Sequence, residues 1–302
     1  MLIAPAWLWI VFTVAGSAAQ TARTAMQREL IDVLGTIGAT HVRFLFGLPF
    51  GLLFLALVAL LIRDPLPPIT APALAWIAGG AISQIAATAL MLAAMRERSF
   101  VVATALVKIE PVWIALAGAV FLSDPLTPAV LAAILVATLG VLLTSWPRPS
   151  HGGRTPSAGS AVLGLAAGAL FGFAAIGYRG GIGALGGTSF VAAATLALAI
   201  ALMLQTALLT GYLALRDPGT LRAIARAWRP SLFAGFMGAL ASLFWFLAFA
   251  LQSAALVRTV ALIEILFALF VSRGIFQQRL GAREGVGLLL LVAGVAAVLN
   301  AA

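Results

Sequence analysis

The chain contains no cysteine and only two histidines in 302 residues. That excludes disulfides, zinc–thiolate sites, iron–sulfur clusters and thiol nucleophiles, and it leaves too few imidazoles for a histidine-rich metal centre. No cofactor is expected. Charge is scarce as well: 9% of the residues are charged, against about 25% in soluble domains. No Lys or Arg precedes the first apolar run, Trp7–Ala15, so the basic start of a secretory signal is missing although Ser17-Ala18-Ala19 resembles a cleavage site. Nor is there a His-box, an Asp-rich metal motif, a G-x-S-x-G elbow or a Walker sequence. The chain is therefore not expected to be an enzyme.

What is present is apolar. Hydrophobic residues make up 63% of the chain, the mean hydropathy is +1.13, and about ten stretches are long enough to cross a hydrocarbon core that needs about 20 helical residues. The expected spans are Ala6–Ala22, Gly38–Ile62, Pro72–Met95, Phe100–Leu122, Pro128–Trp146, Gly159–Tyr178, Thr188–Leu215, Pro230–Leu251, Ala255–Phe276 and Ala282–Asn300. Arg63-Asp64-Pro65, Ser123-Asp124-Pro125 and Arg216-Asp217-Pro218 punctuate them, because Pro lacks the N–H and disfavours helix at the residue before it. The fold class expected is an all-α polytopic membrane protein.

The longest polar stretch, 147–158, divides the chain into five-helix halves, 1–146 and 159–302. They align at an offset of 154 residues (Glu110 on Glu264), which also matches Ser99 with Ser253, Ile109 with Ile263, and Gly140-Val141 with Gly294-Val295. Five helices per half is an odd number, so the second copy is expected upside down, an inverted repeat about an axis in the membrane plane. Nearly all the arginines, Arg23, Arg28 and Arg43 first among them, fall in loops on one side, and the opposite loops hold Arg63 and Arg179. The positive-inside rule makes the arginine-rich side cytoplasmic and puts both termini outside. The net charge of +9 is thus a topology signal, and nucleic acid is not an expected partner.

Lys108-Ile109-Glu110-Pro111-Val112-Trp113, the turn Phe121–Thr127, Gly140-Val141 and His41-Val42-Arg43-Phe44 together resemble the drug/metabolite transporter superfamily, specifically its EamA-like ten-helix branch. The resemblance implies ten transmembrane helices around a central cavity between two halves. It also implies carriage of small organic molecules, often amino acids and frequently outward. The second copy departs from it in having Ile265 where the first has Pro111, and the loop charges run opposite to those of many members.

A carboxylate near a helix centre costs about 2.5–3.5 kcal/mol on insertion scales and is retained mainly where it meets a cavity or a partner. Glu110 and Glu264 are the candidates of this kind, for substrate binding or proton coupling; the alternative is a structural carboxyl tied to Lys108, Arg258 or the backbone. Trp113 and Phe267 follow the two acids by three residues, on the same helical face, where they suit an amine with an apolar body or simply pack against lipid. Lys108 and Arg258 can hold a substrate carboxylate, neutralise a glutamate, or snorkel to the interface. Gln84 is a polar candidate in mid-span, and interhelical hydrogen bonding would equally explain it. Gly164, Gly168 and Gly172 form a packing stripe, and Gly177–Gly187 reads as an inter-helix turn.

The function expected is a secondary active transporter of small organic metabolites, most of all amino acids, working by alternating access with export favoured, in the inner membrane of a bacterium. Its partners would be a zwitterionic or cationic solute, membrane lipid and protons; the sequence does not choose between monomer and homodimer. An uncoupled facilitator or a nucleotide-like metabolite carrier is the second reading. A lipid-modifying intramembrane enzyme and a non-transporting scaffold are readings of another class.

Overall fold

The computed structural model describes residues 4–62, 65–96, 105–146, 158–187, 189–265 and 281–301. Among them every regular element is a helix: α1 Leu8–Leu45, α2 Leu48–Ile62, α3 Ala71–Arg96, α4 Glu110–Phe121, α5 Pro128–Ser145, α6 Ala158–Leu185, α7 Phe190–Arg216, α8 Pro218–Arg226, α9 Trp228–Leu251, α10 Ala254–Ala261 and α11 Ala282–Ala301. Helices satisfy their own backbone hydrogen bonds, which lipid cannot do for them. Seven helical segments among the described residues are long and apolar enough to cross a bilayer.

Three differences from the expected spans have physical causes. First, the loop expected between Ala22 and Gly38 is helix: α1 runs from Leu8 to Leu45, interrupted at Gly35 (φ 66°, ψ 178°), a conformation open to glycine alone. Second, the fourth and ninth stretches are broken. Residues 108–109 and 262–263 are turns, so α4 keeps 12 residues and α10 keeps 8. Third, the Gly177–Gly187 turn is helical as far as Leu185, because its glycines let α6 press against α3.

The described chain divides into two compact units, each drawing on both sides of residues 147–158. Unit 1 comprises Met1–Ile85 and Ala174–Gln252; unit 2 comprises Ala86–Phe173 and Ser253–Ala302. In unit 1, α1 lies along α9, and α7 is enclosed by α1, α2 and α9. Small residues allow the approach. Gly16 lies under Trp245, and the bare face of Gly180 fits against the Trp76 ring. A Cβ on Gly177 would stand 2.7 Å from the Cα of Gly80, so these two backbones touch. Asp217 ends α7 and caps α8: its carboxylate accepts from the Thr220 N–H at 3.2 Å and from the Thr220 hydroxyl at 2.6 Å.

In unit 2, α5 packs along α11. A Cβ on Gly140 would strike the Gly287 carbonyl and the Leu291 backbone; one on Gly294 would strike the Ala133 carbonyl and the Ala137 backbone. The contacts are reciprocal. Ala133, Ala137 and Gly140 lie 154 positions before Gly287, Leu291 and Gly294, and the order of contacts makes the helices antiparallel. Gly168 and Gly172 of α6 pack on Val107 and on Trp113 with Ile114, so the small-residue stripe serves packing there.

Candidate functional site

The two helix breaks of unit 2 open on the same pair of backbone bonds. Lys108 and Ile109 donate their N–H groups to Ala105 and Leu106, three residues back, at 3.0 and 3.1 Å. Leu262 and Ile263 do the same to Thr259 and Val260, at 3.1 Å each. These bonds tighten the backbone into a 3₁₀-like turn. Helix resumes at Glu110 in the first case and at Glu264 in the second. Pro111 explains the first break, since it has no N–H to give to Val107 and fits the first position of a new helix. The second has Ile265 there and breaks all the same.

Each acid is met by a cation from the other half of the chain. Arg258 Nη2 donates to Glu110 Oε2 at 2.5 Å, and Lys108, the only lysine present, forms an ion pair with Glu264. The side chains of Arg258 and Glu110 are 13% and 8% exposed; those of Lys108 and Glu264 are 29% and 12%. Of the roles open to Lys108 and Arg258, the structure thus shows neutralisation of a glutamate. Trp113 stands one turn after Glu110 with its ring exposed and its Cβ side on Gly172. Phe267 lies outside the described residues.

Gln84 belongs to unit 1. Its Oε1 accepts from the Tyr178 hydroxyl at 2.9 Å and from Gln205 Nε2 at 2.8 Å, and Gln205 Nε2 also donates to the Tyr178 oxygen at 2.9 Å. The result is a neutral triangle, buried at Tyr178 and Gln205 and half-buried at Gln84, that links α3, α6 and α7, with the Tyr178 ring 4.5 Å from that of Phe246 in α9. Arg179, next in sequence, donates to the carbonyls of Phe249 and Gln252 at 2.8 and 2.6 Å, satisfying the end of α9.

Arg23 and Arg43 were expected in loops. Both lie on α1 and are buried, at 2% and 3% exposure, so two of the charges used to orient the chain are interior ones. Tyr178 escaped the sequence reading, because it stands at the edge of a glycine-rich string that suggested a turn, whereas Gln205 reads from the sequence, like Gln84, as a polar group within an apolar span.

Residues 7–146 match the model of the EamA-like transporter family. The first half of this chain is thus similar to that family. That likeness and the seven apolar, bilayer-length helices support a multi-pass membrane protein, and the resemblance read from Lys108–Trp113 and Gly140-Val141 falls inside the matched segment. No curated protein matches the chain in sequence. A solved structure described only as a crystal structure of a protein superposes with a TM-score of 0.68 at 16% identity, over 98% of this chain and 95% of the other; at that identity it speaks for the fold alone.

Proposed function

We propose that the protein is a secondary transporter, not an enzyme, that moves small zwitterionic or cationic metabolites, amino acids foremost, across a bacterial cytoplasmic membrane. In this reading two inverted five-helix halves alternate access, with both termini outside and export as the favoured direction. Ten spans follow when α1 is counted as the first span plus the start of the second, and each broken helix is counted once. The antiparallel α5–α11 pair and the matching breaks, all at one sequence offset, support the inversion.

The observation that carries the substrate class is the exchange of cations between Glu110 and Glu264 at those breaks. Broken helices are where such carriers place their binding groups. An amino acid brings both charges that these pairs hold. Its ammonium can take the place of Lys108 or Arg258 at a carboxylate while its own carboxylate receives the displaced cation, so no buried charge is left bare. Lys108–Glu264, the more exposed pair, opens at lower cost. A proton taken up by a released carboxylate would couple flux to a pH gradient.

The test is uptake of labelled Trp, Phe, Met, Thr and Lys into proteoliposomes, with and without an imposed pH gradient. Gradient-driven accumulation is the expected result. Equilibration without accumulation favours a facilitator, and absence of flux for every amino acid in folded protein overturns the substrate class.

A further inference from the structure

We propose that α8 and the start of α9 form a docking surface for anionic phospholipid headgroups, with Arg222 and Arg226 at its centre. The surface belongs to unit 1 and does not rest on the transport reading. α8 lies between two bilayer-length helices, α7 ending at Arg216 and α9 starting at Trp228, so a membrane crossed by these helices has α8 at its surface. With 9 residues it is too short to span, and its two faces differ in kind. Thr220 and Ile224, four apart, face the bundle: Ile224 is buried, and a Cβ on Gly38 of α1 would stand 2.9 Å from Thr220 Cγ2 and 4.0 Å from Ile224 Cδ1. The bare Gly38 lets the helix lie close. Arg222 and Arg226, also four apart, fall on the opposite face and are exposed.

That outer face carries charge of one sign. From 216 to 229 the chain holds Arg216, Arg222, Arg226 and Arg229 against a single acid, Asp217, whose carboxylate is engaged by Thr220 in the cap of α8. All four arginines are exposed, and none forms an ion pair among the described residues. Glu29 and Asp32, the exposed acids of α1 before the Gly35 bend, do not pair with them either. Beside the charge stands apolar surface. Trp228 is exposed with the Arg229 guanidinium 5.5 Å from its ring centroid, and Leu215 and Phe233 are exposed on the adjoining ends of α7 and α9. An anionic phospholipid answers each feature: its phosphate accepts from the guanidinium forks, the indole suits headgroup depth, and the acyl chains meet Leu215 and Phe233. A soluble polyanion would answer the charge and leave the apolar flank uncovered.

The test uses the full-length protein in phosphatidylcholine vesicles to which dibrominated phosphatidylglycerol or, in parallel, dibrominated phosphatidylcholine is added, bromine being a short-range quencher of indole fluorescence. The chain has seven tryptophans, so the signal of Trp228 is read as the difference between the unmodified protein and Trp228→Phe. The expected result is a preference for the anionic lipid of about tenfold or more, each basic residue at a charged surface contributing about fivefold. Arg222→Gln/Arg226→Gln should lose most of that preference, as should the unmodified protein in about 1 M salt, where charges are screened within about 3 Å. Arg222→Lys/Arg226→Lys keeps the charge and should keep most of the preference. Both positions are exposed and point away from Gly38, so these variants should unfold at unchanged temperature. Equal quenching by the two lipids in the unmodified protein, an undiminished preference in the glutamine variant, or equal losses in the glutamine and lysine variants overturns the proposal. The readout is fluorescence and not flux, so failure of the transport reading leaves the result intact.

Discussion

The two units keep polar groups among apolar helices in different ways. Unit 2 buries full charges in compensated pairs, Glu110 with Arg258 and Glu264 with Lys108. Unit 1 joins Gln84, Tyr178 and Gln205 by neutral hydrogen bonds and holds two arginines close by. A compensated pair contributes little net stability when intact, yet losing one partner strands the other. A neutral triangle has no charge to strand. Unit 2 therefore holds contacts whose partners can be exchanged, and unit 1 holds contacts that fix its helices in place.

The largest effect is expected where that contrast is broken outright. Glu110→Gln leaves the Arg258 guanidinium buried without its carboxylate and should cost about 3–5 kcal/mol, with transport lost. Glu264→Gln should cost less, because the Lys108–Glu264 pair is the more exposed of the two. Exchanging the charges, Glu110→Arg with Arg258→Glu, should recover much of the stability. Thermal unfolding in detergent, together with proteoliposome uptake, reads all three. Equal losses in Glu110→Gln and Glu264→Gln would show that exposure does not set the cost of opening.

An intermediate effect sharpens the comparison inside unit 2. Gly140→Val and Gly294→Val each force a side chain into backbone across the α5–α11 contact, and overpacking of this kind costs about 1–3 kcal/mol. Because the contacts are reciprocal, the two losses should agree within about 0.5 kcal/mol. A large gap between their unfolding midpoints would mean that the reciprocity is geometric only and the helices around the pair carry the load unevenly.

The character of the site was legible in the residues, and its wiring was not. Glu110, Glu264, Lys108 and Arg258 stand out as charges in apolar spans. Yet Lys108 is two positions from Glu110, on the far side of the helix, so its pairing with Glu264 comes from tertiary packing that spacing cannot reveal. Pro111 hints at the first break, and nothing at Ile265 hints at the second. Charge counting sent Arg23 and Arg43 to a loop because a lone arginine in an apolar region usually ends a span. The structural mark there is Gly35, whose positive φ kinks α1 between the two arginines. The bilayer-crossing character, by contrast, is written in composition, and it survives in seven described segments.

The smallest effect tests the neutral network. Gln205 Nε2 has two hydrogens and three acceptors in reach, Gln84 Oε1, the Tyr178 oxygen and, at 3.4 Å, the Ala81 carbonyl, so at most two bonds hold at once. Gln205→Leu removes them and leaves the Tyr178 hydroxyl still donating to Gln84. Interhelical bonds of this type average about 0.6 kcal/mol and reach about 1.7, so the loss should stay near 1 kcal/mol, well below that of Glu110→Gln. A loss as large as the ion-pair variant's would mean that the triangle is not neutral in function and that Arg43 depends on the Tyr178 oxygen being held where it is. Repeating Gln205→Leu with Arg43→Lys decides this, since additive midpoints separate the network from the arginine and a shared loss joins them.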